Sequence, residues 1–111
     1  MVESPFDAEI RVGKVLEAES FPEANKPKMT KLWITLGEDH GEIQSAAQLD
    51  HHYDPTELEG RRVLCATNLG TVRIAGFKSE ALTVGVPDED EFPVLVEPDR
   101  DVDVPLGGSL Y

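Results

Sequence analysis

Apolar positions along most of the chain recur at a spacing of two, the period of half-buried strands. Ile10, Val12, Leu16 and Ala18 share one parity, and Glu9, Arg11, Glu17 and Glu19 take the other. Gly13 interrupts this run, and Lys14 with Val15 breaks the alternation. That pattern predicts a long first strand bent there by a bulge. KLWITL, residues 31–36, predicts a second strand, with Leu32, Ile34 and Leu36 facing inward and Lys31, Trp33 and Thr35 outward. The glycine-bounded turn GEDHG, 37–41, leads into a short strand, EIQSA, so the two form a hairpin. RRVLCAT, 61–67, is apolar enough to be buried on both faces, and ALTVGV, 81–86, places Leu82, Val84 and Val86 on one side of a further strand.

The connections are as informative. FPEANKPKM, 21–29, is a loop, because two prolines and Asn25 prevent regular pairing. AAQLDHHY, 46–53, suits a short helical turn. In DPTEL, 54–58, Asp54 suits an N-cap, Pro55 the first helical position and Glu57 a capping box, with Gly60 ending the helix after about one turn. NLGTVRIAGFKSEAL, 68–82, is a glycine-hinged connection, and PVLVEPDRDVDVPLGGSLY, 93–111, holds a strand or two broken by prolines. The order predicts an all-β fold: a five-stranded OB-fold barrel with a short helical segment between strands 3 and 4 and a C-terminal extension. Closure also leaves a small β domain with few bare edges. A small β-sandwich is the rival reading.

A chain of 111 residues suits one domain, 1–111. Cys65, the single cysteine, excludes an internal disulfide and sits among apolar neighbours as a core residue. MVESPFDAEI lacks the basic start and apolar run of a signal peptide, and no run approaches the ~20 residues of a membrane span. A soluble, cytoplasmic protein is expected.

Charge complicates any functional reading. Asp and Glu number 22 against ten Lys and Arg, a formal net charge of −12, whereas nucleic-acid binders are usually basic. The acids run from Glu3 to Asp103, with a dense patch at DEDEF, 88–92. Such a spread fits a surface adapted to high salt better than an acidic tail. In molar salt the Debye length is ~3 Å, and net charge no longer decides which ligand approaches.

His40, His51 and His52 lie near Asp39, Asp50 and Asp54 in sequence. Adjacent histidines diverge in a helix or strand, and HxxxH and CxxC spacings are missing, so no metal site is expected. Ser45 and Ser79 lack a G-x-S-x-G context and no glycine-rich phosphate loop opens a helix, so neither catalytic residues nor cofactors are expected. Binding is better supported. Trp33 faces outward, a position suited to an aromatic platform, to a subunit seam or to plain packing. Lys26, Lys28, Lys31, Arg73 and Lys78, half of the bases, fall in the two segments that flank the ligand face of such a barrel.

FDAEIRVGKVLEAESFPEANKPKMTKLWITLG, QSAAQL, HHYDPTELEGRRV and NLGTVRIAGFKSEAL together resemble the tRNA-binding domain family. That family includes C-terminal appendages of some methionyl-tRNA synthetases and the endothelial monocyte-activating polypeptide domain. FPEA followed by a proline, QSAAQ and RIAGFKSE favour its CsaA-like, export-associated chaperone branch. The similarity runs from Phe6 to the PLGG near the C-terminus. It implies a homodimer without catalysis, and two kinds of partner: tRNA or other structured RNA, and unfolded or export-bound polypeptides. The family's binding face matches Asn68, Arg73, Lys78, Ser79 and Glu80, with Ser45 and Gln48 on the facing strand and turn. Lys28, Lys31 and Trp33 complete the candidate set. GTVR stands where many tRNA-binding members have a proline and adjacent bases, so only Arg73 remains of that cluster. The resulting expectation is one cationic window in an anionic shell, where the Arg73 and Lys78 segment meets the Lys28 and Lys31 segment.

Overall fold

A computed structural model describes residues 8–111. The start of the family resemblance at Phe6, and most of the N-terminal stretch read for targeting, lie outside them. The elements are β1 (Ile10–Ser20), β2 (Thr30–Thr35), β3 (Glu42–Ala47), α1 (Pro55–Leu58), β4 (Arg62–Ala66), β5 (Val72–Ile74), β6 (Phe77–Ser79), β7 (Leu82–Thr83), β8 (Gly85–Pro87) and β9 (Pro93–Leu95). Five of these strands form an antiparallel sheet in the order β3-β2-β1-β4-β7, while β5–β6 and β8–β9 are separate two-stranded ribbons. The curled sheet with one helical turn between its third and fourth strands is the expected OB-fold.

β1 makes the corner. Residues 10–14 pair with β4 and residues 14–20 with β2. The ladder to β2 shifts between Val15 and Glu17, so the bulge lies at Leu16 rather than at the glycine. Val15 and Ala18 therefore both reach the core, and Leu16 is thrown outward, 47% exposed. Gly13 serves close approach instead: a Cβ there would come within 2.6 Å of Ile34 Cγ2. Where β2 departs from β1, the C-terminal segment takes its place. Val12 N–H donates to the Gly108 carbonyl at 2.9 Å, Gly107 N–H to Val12 at 2.8 Å and Leu110 N–H to Ile10 at 2.8 Å. The extension thus covers a barrel edge.

The core gathers Val15, Leu32, Ile34, Leu36, Leu49, Leu58, Val63 and Cys65. β2 alternates as expected, and β4 is buried on both faces. Each large aliphatic side chain so buried stabilises by roughly 1.5–3 kcal/mol. α1 starts as expected, the Glu57 carboxylate accepting the Asp54 N–H at 3.1 Å. The helical turn expected at 46–53 shrinks to one bond, Tyr53 N–H to the Leu49 carbonyl, because Ala46 and Ala47 belong to β3.

The barrel closes between β3 and residues 79–83 through side chains as well as backbone. Ser45 Oγ donates to the Ala81 carbonyl at 2.8 Å and lies 2.8 Å from the Thr83 hydroxyl. Glu80 N–H donates to the Gln44 carbonyl at 2.8 Å, and the Glu80 carboxylate accepts Gln44 N–H at 3.1 Å. Ser79 Oγ accepts Ala46 N–H at 3.1 Å. For ALTVGV, the side that Leu82 and Val86 share is the outer one, and the single expected strand is divided. The run breaks at Val84, Thr83 points inward to Ser45, and Leu82 and Val86 are each 54% exposed. The Thr83 hydroxyl meets Ser45 Oγ at that inner position, a contact that an aliphatic side chain could not make.

Candidate functional site

Residues 68–82 hold a hairpin where the sequence suggested a hinged connection. Val72, Arg73 and Ile74 pair with Ser79, Lys78 and Phe77. The two turn residues, Ala75 and Gly76, have φ of 46° and 84°, as in the primed turns that match strand twist.

An aromatic clasp holds this hairpin against β2. The Phe77 ring meets Trp33 edge-on at 5.7 Å and Phe21 at 5.6 Å. Lys31 Nζ lies 4.7 Å from the Phe21 centroid and 5.4 Å from that of Phe77. Gln44 Nε2 donates to the Lys78 carbonyl at 3.0 Å. The Arg73 and Lys78 segment therefore does lie beside the Lys31 segment. Lys31 and Trp33, both half-buried, are in contact with the chain's own rings and so help position the hairpin.

Beside the clasp is a cavity of about 630 Å³. Asn25, Lys26 and Met29 line it from the first loop, Ala46, Ala47 and Gln48 from the end of β3, and Val72, Arg73, Ile74 and Ala75 from the hairpin; Leu82, Thr83, Val84, Gly85 and Pro93 complete it. Of the expected binding residues, Gln48 and Arg73 line this space. Gln48 is anchored by its Nε2 to the Pro27 carbonyl at 3.0 Å. Lys28 and Lys78 are exposed on the same two segments but outside the lining. Ser45 is fully buried, and Ser45, Ser79 and Glu80 are spent on the seam, so these three close the barrel. Asn68 is exposed and its Oδ1 accepts the Glu9 N–H at 2.7 Å, at the start of β1. Val72, Ile74, Leu82 and Met29 also line the cavity, beyond the residues expected to bind. Their signal is apolar character beside the polar candidates, which strand parity alone assigns to a core.

A second cleft is polar, with Lys14, Arg61, Arg62 and Arg100 facing Glu57, Glu59, Glu97 and Asp103. Its arginines are largely committed. Arg61 Nε lies 3.3 Å from Glu97, Arg100 donates to the other Glu97 oxygen, and Arg62 donates to the Asp99 and Val102 carbonyls at 2.7 and 2.8 Å. The Arg100 hydrogen bond, joined by Arg61 and opposed by partial burial, holds the Glu97 carboxyl below its usual range. Cys65 is no nucleophile: burial pushes its thiol up to about 12.

One expectation about metals fails. His51 and His52 were expected to diverge, but residues 50–52 form a turn, which obeys neither helical nor strand geometry. One ligand atom each from His51, His52 and Asp88 lies within 4.8 Å of the others.

The model of a family described as "Putative tRNA binding domain" matches residues 10–106. Among solved structures, chaperone CsaA from Bacillus anthracis str. Ames is 34% identical with a TM-score of 0.81, covering 94% of this chain and 91% of that one. The CsaA chaperone protein from Picrophilus torridus is 32% identical with a TM-score of 0.83, covering 95% and 92%. Among curated proteins, the methionine–tRNA ligase of Methanothrix thermoacetophila is 34% identical over 107 residues, 93% of this chain and 15% of the ligase. That of Methanococcus aeolicus is 28% identical over 102 residues, 92% and 14%. The chain spans about one-seventh of the length of these ligases.

Proposed function

The chain belongs to the tRNA-binding domain family, and from that premise we propose that it is a non-enzymatic binder of tRNA or a similarly structured RNA, acting as a homodimer. The observation that carries this reading is the meeting of Lys26 and Arg73 in one cavity, from segments far apart in sequence. Lys28 and Lys78 are exposed on the same two segments, Lys78 paired across the hairpin with Arg73, and add to the positive charge there. Phosphates take charge-assisted hydrogen bonds from these four cations, and base faces lie on the apolar walls of Val72, Ile74 and Leu82. Asn25 and Gln48 add neutral hydrogen-bonding capacity. So few cations release few counterions, so affinity depends less on salt than in a basic RNA binder.

The apolar lining also favours a second reading. Met29, Val72, Ile74 and Leu82 offer a surface for an unfolded or export-bound polypeptide, and both similar CsaA proteins are described as chaperones. Exposed Leu69, Val86 and Val94 supply apolar surface for a second copy of the chain.

Native-gel titration with tRNA at several potassium concentrations tests the first reading. We expect a shift that the Arg73→Ala, Lys78→Ala double variant weakens at least tenfold. An unaltered shift in that variant relocates the site. No shift at any salt, with suppressed aggregation of a denatured client, favours the polypeptide. Sedimentation equilibrium reads the dimer.

A further inference from the structure

We propose that His51, His52 and Asp88 form a site for one divalent transition-metal ion of the imidazole-preferring class, which clips the 50–53 turn to the 88–92 turn. This site is separate from the cavity and does not depend on what the cavity binds. His52 Nε2 already lies 2.7 Å from Asp88 Oδ2. All three donors lie within 4.8 Å of one another, and donors around tetrahedral zinc are roughly 3.3 Å apart. Small side-chain rotations therefore bring them to one ion, which replaces the His52–Asp88 hydrogen bond.

Supporting contacts orient the donors. Asp88 Oδ1 accepts the Asp90 and Phe92 N–H groups, each at 2.8 Å, which leaves Oδ2 facing His52. The His51 ring stacks on Phe92 at 4.2 Å and 14°. Phe92 thus orients two of the ligands, one through its backbone and one through its ring. Tyr53 Oη accepts the Leu95 N–H at 3.1 Å, holding the two segments together beside the site. Asp50, Asp54, Glu89, Asp90 and Glu91 flank the ligands in sequence and favour a cation's approach. Two imidazoles and one carboxylate suit Zn(II), Ni(II) or Cu(II), whereas Mg(II) and Ca(II) take oxygen donors. The exposure of both histidines leaves water to complete the coordination.

The test is calorimetric titration of metal-stripped protein with zinc chloride and, separately, magnesium chloride. One zinc equivalent is expected to bind, and His51→Ala, His52→Ala and Asp88→Asn each weaken it about tenfold or more. His40→Ala leaves it unchanged. His51→Ala is the deciding variant, because it spares the His52–Asp88 hydrogen bond that a merely structural pin would need. Zinc at a given concentration should also raise the melting midpoint of the parent protein, and that of His51→Ala by clearly less. No saturable zinc heat, undiminished binding in His51→Ala, or magnesium binding as tight as zinc overturns the proposal.

Discussion

Ser45 and Ala81 are joined by a 2.8 Å hydrogen bond, hydroxyl to carbonyl, at a fully buried position where β3 meets the approach to β7. Removing that hydroxyl leaves the Ala81 carbonyl only the longer contact from Ser79 Oγ at 3.4 Å and takes the 2.8 Å partner from the buried Thr83 hydroxyl, and weakly satisfied buried groups cost about 1–3 kcal/mol. Ser45→Ala should lower stability by that amount in urea denaturation. RNA affinity per folded molecule should stay the same. A stable Ser45→Ala variant with weakened binding would return Ser45 to the ligand face.

Phe77 carries the hairpin's attachment, since Trp33, Phe21 and Lys31 all converge on it. Aromatic pairs contribute about 0.5–1.5 kcal/mol each beyond area burial. Phe77→Ala should loosen the hairpin and expose Trp33, which iodide quenching of its fluorescence would report. RNA affinity should fall although Phe77 does not line the cavity. Unchanged quenching and affinity would mean that the clasp does not set the hairpin's position.

The Cys65 thiol, pushed by burial to about 12, stays protonated near pH 8, where free cysteines begin to ionise. A disulfide-exchange reagent should leave it unmodified in the folded protein and react within the mixing time in denaturant. Fast reaction in the folded state would contradict the closed core.

Glu97 supplies a pH dependence. Its carboxyl is held below 4.5, chiefly by Arg100, so the folded state prefers the charged form. Its contribution is present above pH 4.5 and is lost as pH falls through the lower folded-state value. Glu97→Gln should be less stable near neutrality, by no more than about 1 kcal/mol for so exposed a partner as Arg100. The deficit should shrink below pH 4.5. Urea midpoints on either side of that pH measure both, and a deficit that grows in acid would contradict the assignment.

We read the acid excess, 22 against ten, as adaptation to salt. Screening of self-repulsion should outweigh screening of the few ion pairs, so the melting midpoint should rise steadily with potassium chloride up to about molar concentration. A flat or falling midpoint would remove the salt-adaptation reading.

Where each strand face met a single environment, the sequence was readable. Leu32, Ile34 and Leu36 all point into one core, and their alternation located β2 without help. Gly13 misled because a glycine in a strand suits either a bulge or a close neighbour, and only Ile34's position decides between them. Three-residue strands such as β5 and β6 are too short for periodicity to register. Within the site, Arg73 and Gln48 were readable as polar residues on the right segments. The covering of Lys31 and Trp33 was not, because Phe77 comes from more than 40 positions away. The same distance problem hid Asp88 from His51 and His52.

The bulge at Leu16 has a consequence for which length changes the fold tolerates. Three steps along β1, from Val15 to Ala18, match only two on β2, from Ile34 to Leu32. Deleting Leu16 would leave Val15 and Ala18 on the same side, as in a plain strand, and would straighten the ribbon. The inside pattern would survive while the curl that brings Ser45 to Ala81 would be lost. Shape in this barrel is thus stored as one surplus peptide unit, so a shortening that every hydrophobicity rule permits would still unroll it.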